Sequence, residues 1–345
     1  MMMNYLGAQN GQIKIYESED LSVIDNYILV DVSYSAVSPG TENTMSQGSQ
    51  EEVVRLGYSA SGIVNSVGNG ADDFKVGDRV SVYGAPYVGH RSQLLVPKTL
   101  AVKVPESVSL KDASLGGLGA IAIHGLRQGN LRFGEICVVV GLGIYGQLIA
   151  QIAHNAGLVV FALNRSASRA ELLHEVSGLK TYSDEDELEK DLMLASGGKG
   201  ADAVFLCAGS GASYLTDKSI DWLCDRGKSV IVGDIQPNYS REKMFVKEID
   251  IRISRAGGPG RYNTSYEKDA VDYPYGYVRW TEGRNVGEFI RLLEAKRIKV
   301  DAYYDMPTPI ETYPEVYRTL SERGASYLTH CFTYGKNQDL EEEKV

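Results

Sequence analysis

No stretch of this chain approaches the roughly 18 consecutive apolar residues that a membrane-spanning helix needs, so no span is expected. Cysteine is scarce. The four, Cys137, Cys207, Cys224 and Cys331, are far apart in sequence, and no C-x-x-C pair exists to clip a structural zinc or run thiol exchange. Cys137 and Cys207 fall inside apolar runs, where a free cysteine behaves as a small hydrophobe. Positive charge is in deficit, with 35 Lys and Arg against 45 Asp and Glu and a net charge of −10. Nucleic acid and anionic membrane both require a basic surface, so neither is an expected partner. The opening "MMMNYLGAQNGQIKIYESED" lacks the basic segment and apolar core of a secretory signal, which leaves the cytoplasm as the expected compartment. No internal repeat or low-complexity block is present.

What is there is enough for two ordinary domains: 345 residues, 43% hydrophobic and 23% charged. The first 110 residues carry strand-like runs rich in β-branched and aromatic residues, "YILVDVSYSAVS", "GIVNSV", "DRVSVYG" and "SQLLVPKTLAVKVP", with Gly, Pro and Asp between them. From about residue 112 the pattern changes. "EICVVVGLGIYGQLIAQIAHNAG" reads as a buried strand, a tight turn and a helix. "LVVFALN" with "SASRAELLHEV", "ADAVFLCAG" with "YLTDKSIDWLC", then "KSVIVGD" and "DIRISR" continue the alternation. Apolar strands alternating with helices predict a parallel sheet covered on both faces.

The most informative motif is "VVVGLGIYG". Gly141, Gly143 and Gly146, with Leu142, Ile144 and Tyr145 between them, form G-x-G-x-x-G at the junction of an apolar strand and an amphipathic helix. In that setting the first glycine permits the turn, the second lets a diphosphate approach the backbone, and the third permits close packing. Helix amides then face the phosphates. An NAD-selective site places Asp or Glu about 20 residues on, to take the ribose hydroxyls. Here that place holds Asn164, followed by Arg165, Ser166 and Arg169. Arginine can meet a 2′-phosphate with parallel charge-assisted hydrogen bonds, so NADPH is favoured over NADH.

The order of landmarks "SAVSPGTE", "GYSASGIV", "VGDRV", "AIAIHGL", "VVVGLGIYG", "DAVFLCAGS" and "GKSVIVGD" resembles the medium-chain dehydrogenase/reductase superfamily over roughly residues 25–335. "SRAGGPGRYNTSYEKDAVDYPYGYVRWTEGRN" looks like its threonine-dehydrogenase-related branch, which also occurs fused to a second oxidoreductase domain. "SPGTE" fits that branch and the bacteriochlorophyllide dehydrogenases. The resemblance implies an α/β protein: a GroES-like β-rich catalytic domain over 1–110 and 299–335, and a Rossmann domain with a doubly wound parallel sheet over 111–298. The acidic tail 336–345 is expected to be disordered. Cys207, Ala208 and Gly233 join the cofactor set by the same resemblance, and a homodimer or homotetramer is implied by it alone.

Zinc-dependent members of that family take a cysteine, a histidine and a third Cys or Glu from places that align here with Ser38, Tyr58 and Gly117. None of these is a good zinc ligand, and the family's four-cysteine lobe is missing, so the expectation is a metal-free protein. Tyr58, a phenol where the metal would stand, is then the first candidate to donate to a substrate oxygen. Ser38 and Glu42 come from the neighbouring loop, and His124 in "AIAIHGL" is a candidate acid–base group or a packed helix histidine. Arg255, Arg261 and Arg279, interleaved with tyrosines over 255–285, are candidate substrate contacts with Tyr83, or else part of a subunit interface. Three functions follow: hydride transfer to or from a carbonyl or hydroxyl of a small polar molecule such as a sugar or cyclitol, reduction of a conjugated C=C bond, or dinucleotide binding without turnover.

Overall fold

The computed structural model describes residues 3–322 and 327–334, so the acidic tail 336–345 lies outside the described residues. The chain divides into two compact units, one built from residues 1–120, 257–296 and 300 onward, the other from 121–256 and 297–299. The expected boundaries at 110 and 298 differ from this division chiefly at residues 257–296, which belong with the β-rich unit. Packing explains the difference. A Cβ at Gly119 would stand 2.1 Å from the Phe289 ring, and one at Gly283 would stand 2.2 Å from the Thr99 carbonyl. Tyr266 Oη donates to the Thr99 carbonyl at 3.1 Å, and Tyr27 Oη donates to the Lys268 carbonyl at 2.7 Å. Glycines in one segment thus admit side chains and backbone from the other.

The first unit is built around a seven-stranded sheet. Its path runs Thr308–Pro309, Cys331–Thr333, Tyr27–Ala36, Ser59–Val67, Arg79–Tyr83 and Ala101–Lys103, with Gln93–Pro97 also pairing with Tyr27–Ala36. Tyr27–Ala36 is the centre and reads accordingly: eight of its ten residues are buried. Ile28, Val30, Val32, Val80, Val82, Leu94 and Phe332 form the core.

The second unit is a six-stranded parallel sheet in the order Thr181–Tyr182, Val159–Leu163, Ile136–Val140, Ala201–Leu206, Leu223–Ile231 and Asp250–Ile253. From Ile136–Val140 the sheet grows first in one direction and then in the other, which defines a topological switch point at that strand's carboxyl end. Val138, Val140, Phe161, Leu163, Val204, Leu206 and Trp222 make a core here. The edge strand Asp250–Ile253 is exposed at all four residues. Among the described residues no helix is long and apolar enough to cross a membrane.

Candidate functional site

At the switch point the chain leaves Ile136–Val140 through Gly141, whose φ of +93° few side chains tolerate, and enters the helix Ile144–Asn155. Neighbouring strand ends converge on this turn. Gly141 N–H donates to the Leu163 carbonyl at 2.9 Å, and Cys207 N–H donates to the Val140 carbonyl at 2.8 Å. A Cβ on Gly141 would meet Ala208 N at 2.8 Å, one on Gly146 would meet the Gly141 carbonyl oxygen at 1.9 Å, and one on Gly233 would meet the Ala208 carbonyl at 2.2 Å. A Cβ on Gly143 would meet nothing within 4 Å. Three glycines are therefore required by the protein's own packing, whereas Gly143 faces open space above a helix N-terminus. That is the arrangement a diphosphate needs. Desolvation pushes the Cys207 thiol up to about 12, which leaves it a packing group rather than a nucleophile.

Asn164 follows the strand Val159–Leu163. Its Oδ1 accepts from Leu142 N–H at 2.9 Å and its Nδ2 donates to the Ser166 carbonyl at 3.1 Å. The side chain thus ties the glycine turn to the start of the helix Ala167–Ser177, a role that its spacing from the glycines did not reveal. Ser166 is the N-cap of that helix. Arg165 is exposed and Arg169 is partly buried, its pKa lowered by that burial. No carboxylate stands in the run 164–169. His124, in the helix Gly116–Gly129, is buried, and desolvation followed by the nearby Arg127 and Arg255 pushes it down to about 4. It is neutral at physiological pH. Arg255 itself is exposed.

The first unit holds the remaining candidates. Tyr58 and Tyr83 are both buried and pack edge to face, with centroids 6.0 Å apart at 79°. Tyr83 Oη accepts from Gly257 N–H at 2.9 Å. Where the third zinc ligand of the family aligns, a Cβ on Gly117 would stand 2.4 Å from the Tyr83 ring and 2.8 Å from Ser59 Oγ. Gly117 N–H donates to that same Ser59 Oγ at 2.8 Å.

Ser38 and Glu42 are brought together, but facing inward. Ser38 is the N-cap of the helix Pro39–Gln47, and its N–H donates to Glu42 Oε1 at 2.7 Å. Glu42 Oε2 pairs with His90 Nε2 at 3.0 Å and accepts from Tyr317 Oη. His90 Nδ1 lies 2.7 Å from Ser35 Oγ, which meets Tyr334 Oη at 2.5 Å. Glu42, His90 and Ser35 have no exposed surface. Burial and the Glu42 charge push the Tyr317 phenol well upward, and burial does the same to Tyr334, so both are donors. One assignment satisfies every member: Tyr334 donates to Ser35, Ser35 to His90 Nδ1, and His90 Nε2–H, Tyr317 and Ser38 N–H all donate to Glu42. A Ser–His–Glu sequence of this kind suggests acyl transfer, but no substrate reaches a fully buried serine. It acts as a clamp on the loop that carries Ser38. Among the described residues no group of three or more His, Cys, Asp or Glu side chains is placed to hold a metal ion.

Residues 257–285 divide between two places. Arg261 Nη1 donates to the Ala85 carbonyl at 2.7 Å and to Glu267 Oε1. Arg279 instead stacks on Tyr275 and Trp280, at 4.4 and 4.9 Å, and lines a surface cleft of ≈ 430 Å³ with Lys98 and Arg284. Tyr58 and Tyr83 do not line that cleft. Sequence reasoning passed over Glu282, which is fully buried although it opens the helix Glu282–Glu294.

The fold and these two constellations define a two-unit oxidoreductase with a GroES-like domain and a Rossmann-like domain. Residues 25–119 match the family described as alcohol dehydrogenase GroES-like domain, and residues 145–270 match the one described as zinc-binding dehydrogenase. Together the two matches support the medium-chain dehydrogenase/reductase superfamily. The second match contains none of Ser38, Tyr58 and Gly117. A 2-dehydro-3-deoxy-L-galactonate 5-dehydrogenase of Pseudoalteromonas atlantica is 25% identical over 282 residues, covering 73% of this chain and 82% of the relative. A 2-haloacrylate reductase of a Burkholderia species is 29% identical over 190 residues, covering 53% of this chain and 56% of the relative. The crystal structure of 2R,3R-butanediol dehydrogenase from Bacillus subtilis superposes with a TM-score of 0.77 at 18% identity, over 96% of this chain and 99% of that one.

Proposed function

We propose that the protein is a zinc-independent, NADPH-preferring oxidoreductase acting on the carbonyl/hydroxyl pair of a small polar substrate of the sugar-acid or polyol class. The observation that carries the cofactor is the open space over Gly143 within an otherwise tightly packed glycine turn. When bound there, a nicotinamide dinucleotide supplies or accepts the hydride. Asn164 holds the turn in shape, and Arg165 and Arg169, with no carboxylate between them, suit a 2′-phosphate.

Hydroxyl, phenol and a glycine stand where the zinc ligands would, and the Tyr83 ring fills the room a third ligand would need. These residues do not fit a zinc ion. Tyr58 donates to the substrate oxygen in its place, and Tyr83, anchored by Gly257 N–H, supports the Tyr58 ring. The substrate class rests on the galactonate dehydrogenase relative. A second reading, reduction of a conjugated C=C bond, is favoured by the 2-haloacrylate reductase relative.

The test is oxidation of NADPH followed at 340 nm across a panel of keto sugar acids, ketoses and enones. Turnover of a keto compound, tighter binding of NADPH than of NADH by about tenfold or more, and no loss of rate with chelators are expected. Tyr58→Phe should lower kcat by a factor of roughly 10² to 10³, the usual cost of one lost donor. Equal affinity for the two nucleotides, or a Tyr58→Phe enzyme with full kcat, would remove the corresponding part of the proposal.

We also propose a homo-oligomer, in which a second copy covers the exposed edge strand Asp250–Ile253 and the exposed Phe245 and Val246 beside it. Sedimentation equilibrium showing a monomer at micromolar concentration would overturn this.

A further inference from the structure

Glu282 has no exposed surface, and no hydrogen-bond donor among the described residues reaches either of its carboxylate oxygens. Its backbone is firmly placed. Its N–H donates to the Pro259 carbonyl at 2.8 Å, and Thr281 caps the helix that it begins. An ionised carboxylate cannot be left dry and unpaired at this cost. The group that faces it is Glu267, itself buried and held by Arg261. Two ionised carboxylates offer each other only acceptors. One proton between them turns the contact into a hydrogen bond, with Arg261 balancing the remaining charge.

This pair sits behind the tyrosines. A Cβ on Gly257 would stand 3.0 Å from Glu282 Cβ and 2.6 Å from the Tyr83 ring, so Gly257 is pressed between the two. Gly257 N–H holds Tyr83 Oη, and the Gly257 carbonyl accepts from Asn285 Nδ2 at 2.8 Å. We propose that Glu282 and Glu267 form a one-proton carboxyl pair whose proton positions the Gly257 turn and Tyr83. Glu282 is thereby a positioning residue, and the inference rests on the assignment of Tyr58 to the substrate oxygen with Tyr83 supporting its ring.

The groups facing Glu282 are Glu267 and Tyr266 from the helix Thr264–Glu267, Arg261 from the loop before it, and Tyr83 from its strand. Burial, then the Glu267 charge, pushes Glu282 up to about 8, with Arg261 opposing. The helix N-terminus also favours the ionised form, but desolvation is the larger effect. A glutamate of ordinary value, 4.5, releases its proton on unfolding well below this. Folding therefore takes up a proton between about pH 4.5 and 8, and stability falls as pH rises through that window.

The experiment is a ¹³C NMR titration of protein labelled at the glutamate carboxyl carbons, with Glu282→Gln as the assignment variant. One carboxyl resonance titrating with a midpoint of about 8, and absent from the variant, is expected. If every glutamate of the wild type titrates below pH 6, the proton is not there and the pair is overturned; this reading needs neither a substrate nor a folded variant. The second readout is the pH dependence of kcat/KM. An alkaline fall in the wild type that is missing in Glu282→Gln is expected, and an identical fall in both proteins overturns the positioning role while leaving the oxidoreductase reading intact. Absence of turnover with every compound strikes the oxidoreductase reading instead, and the NMR titration still decides the pair.

Discussion

Gly143→Ala should fold as well as the wild type and yet lose NADPH affinity, whereas Gly146→Ala should lose both. The contrast comes from what each new methyl group would meet. At Gly143 a Cβ touches nothing in the protein within 4 Å, so the apo melting temperature should not move. The same methyl group occupies the space over the turn where a diphosphate must approach the helix amides. At Gly146 the Cβ would lie 1.9 Å from the Gly141 carbonyl oxygen, far inside contact distance, and Gly141 is already held by Leu163 and Ala208 on the neighbouring strand ends. Relief requires the helix Ile144–Asn155 to move away from the turn. Overpacking of this kind costs on the order of 3 kcal/mol of stability, roughly a hundredfold in the folding equilibrium constant. Calorimetric titration with NADPH and apo thermal unfolding of the two variants separate the effects. Wild-type affinity in Gly143→Ala would mean that no diphosphate lies over the turn.

That contrast also marks what the sequence could and could not reveal. The glycine spacing, the apolar strand before it and the helix after it are local features, so turn, strand and helix were legible from consecutive residues. The alternation of strands and helices after residue 112 was legible for the same reason, whereas the GroES-like architecture of the first unit followed from the resemblance of its landmarks to the dehydrogenase superfamily. Asn164 was found by its distance from the glycines, but its contact with Leu142 N–H depends on how two neighbouring strands end, which spacing alone does not give. The placement of 257–296 was missed because nothing in "SRAGGPGRYNTSYEKD" signals a change of unit. The signal lies in glycines far away, Gly116 and Gly119, whose missing side chains make room for Val286 and Phe289. Glu282 was passed over because an acidic residue in the first turn of a helix ordinarily serves the helix dipole in solvent. Only the fold shows that solvent is excluded there.

Glu42 is the strongest example of a residue whose chemistry was visible and whose surroundings were not. Its three partners are Ser38 N–H, His90 Nε2 and Tyr317 Oη, the last 275 positions away in sequence, with Ser35 on the far side of the imidazole. Glu42→Ala should destabilise the first unit by about 3–5 kcal/mol, since each buried donor left without an acceptor costs about 1–3 kcal/mol. The loss arises from stranded donors: Ser38 N–H, His90 Nε2–H and the Tyr317 phenol would all remain in a dry interior without an acceptor. His90 cannot escape to solvent, since Phe332 lies edge-on to its ring at 5.1 Å and a Cβ on Gly57 would already come within 2.9 Å of that ring. Glu42→Gln keeps one acceptor oxygen but turns an amide donor toward another donor, so it should lose an intermediate amount. Urea unfolding monitored by tyrosine fluorescence, with NADPH affinity as the control for the second unit, measures both. A Glu42→Ala protein within 1 kcal/mol of wild type would show that the carboxylate is not the acceptor these donors share, and Glu42 would return to candidacy for proton transfer at the substrate.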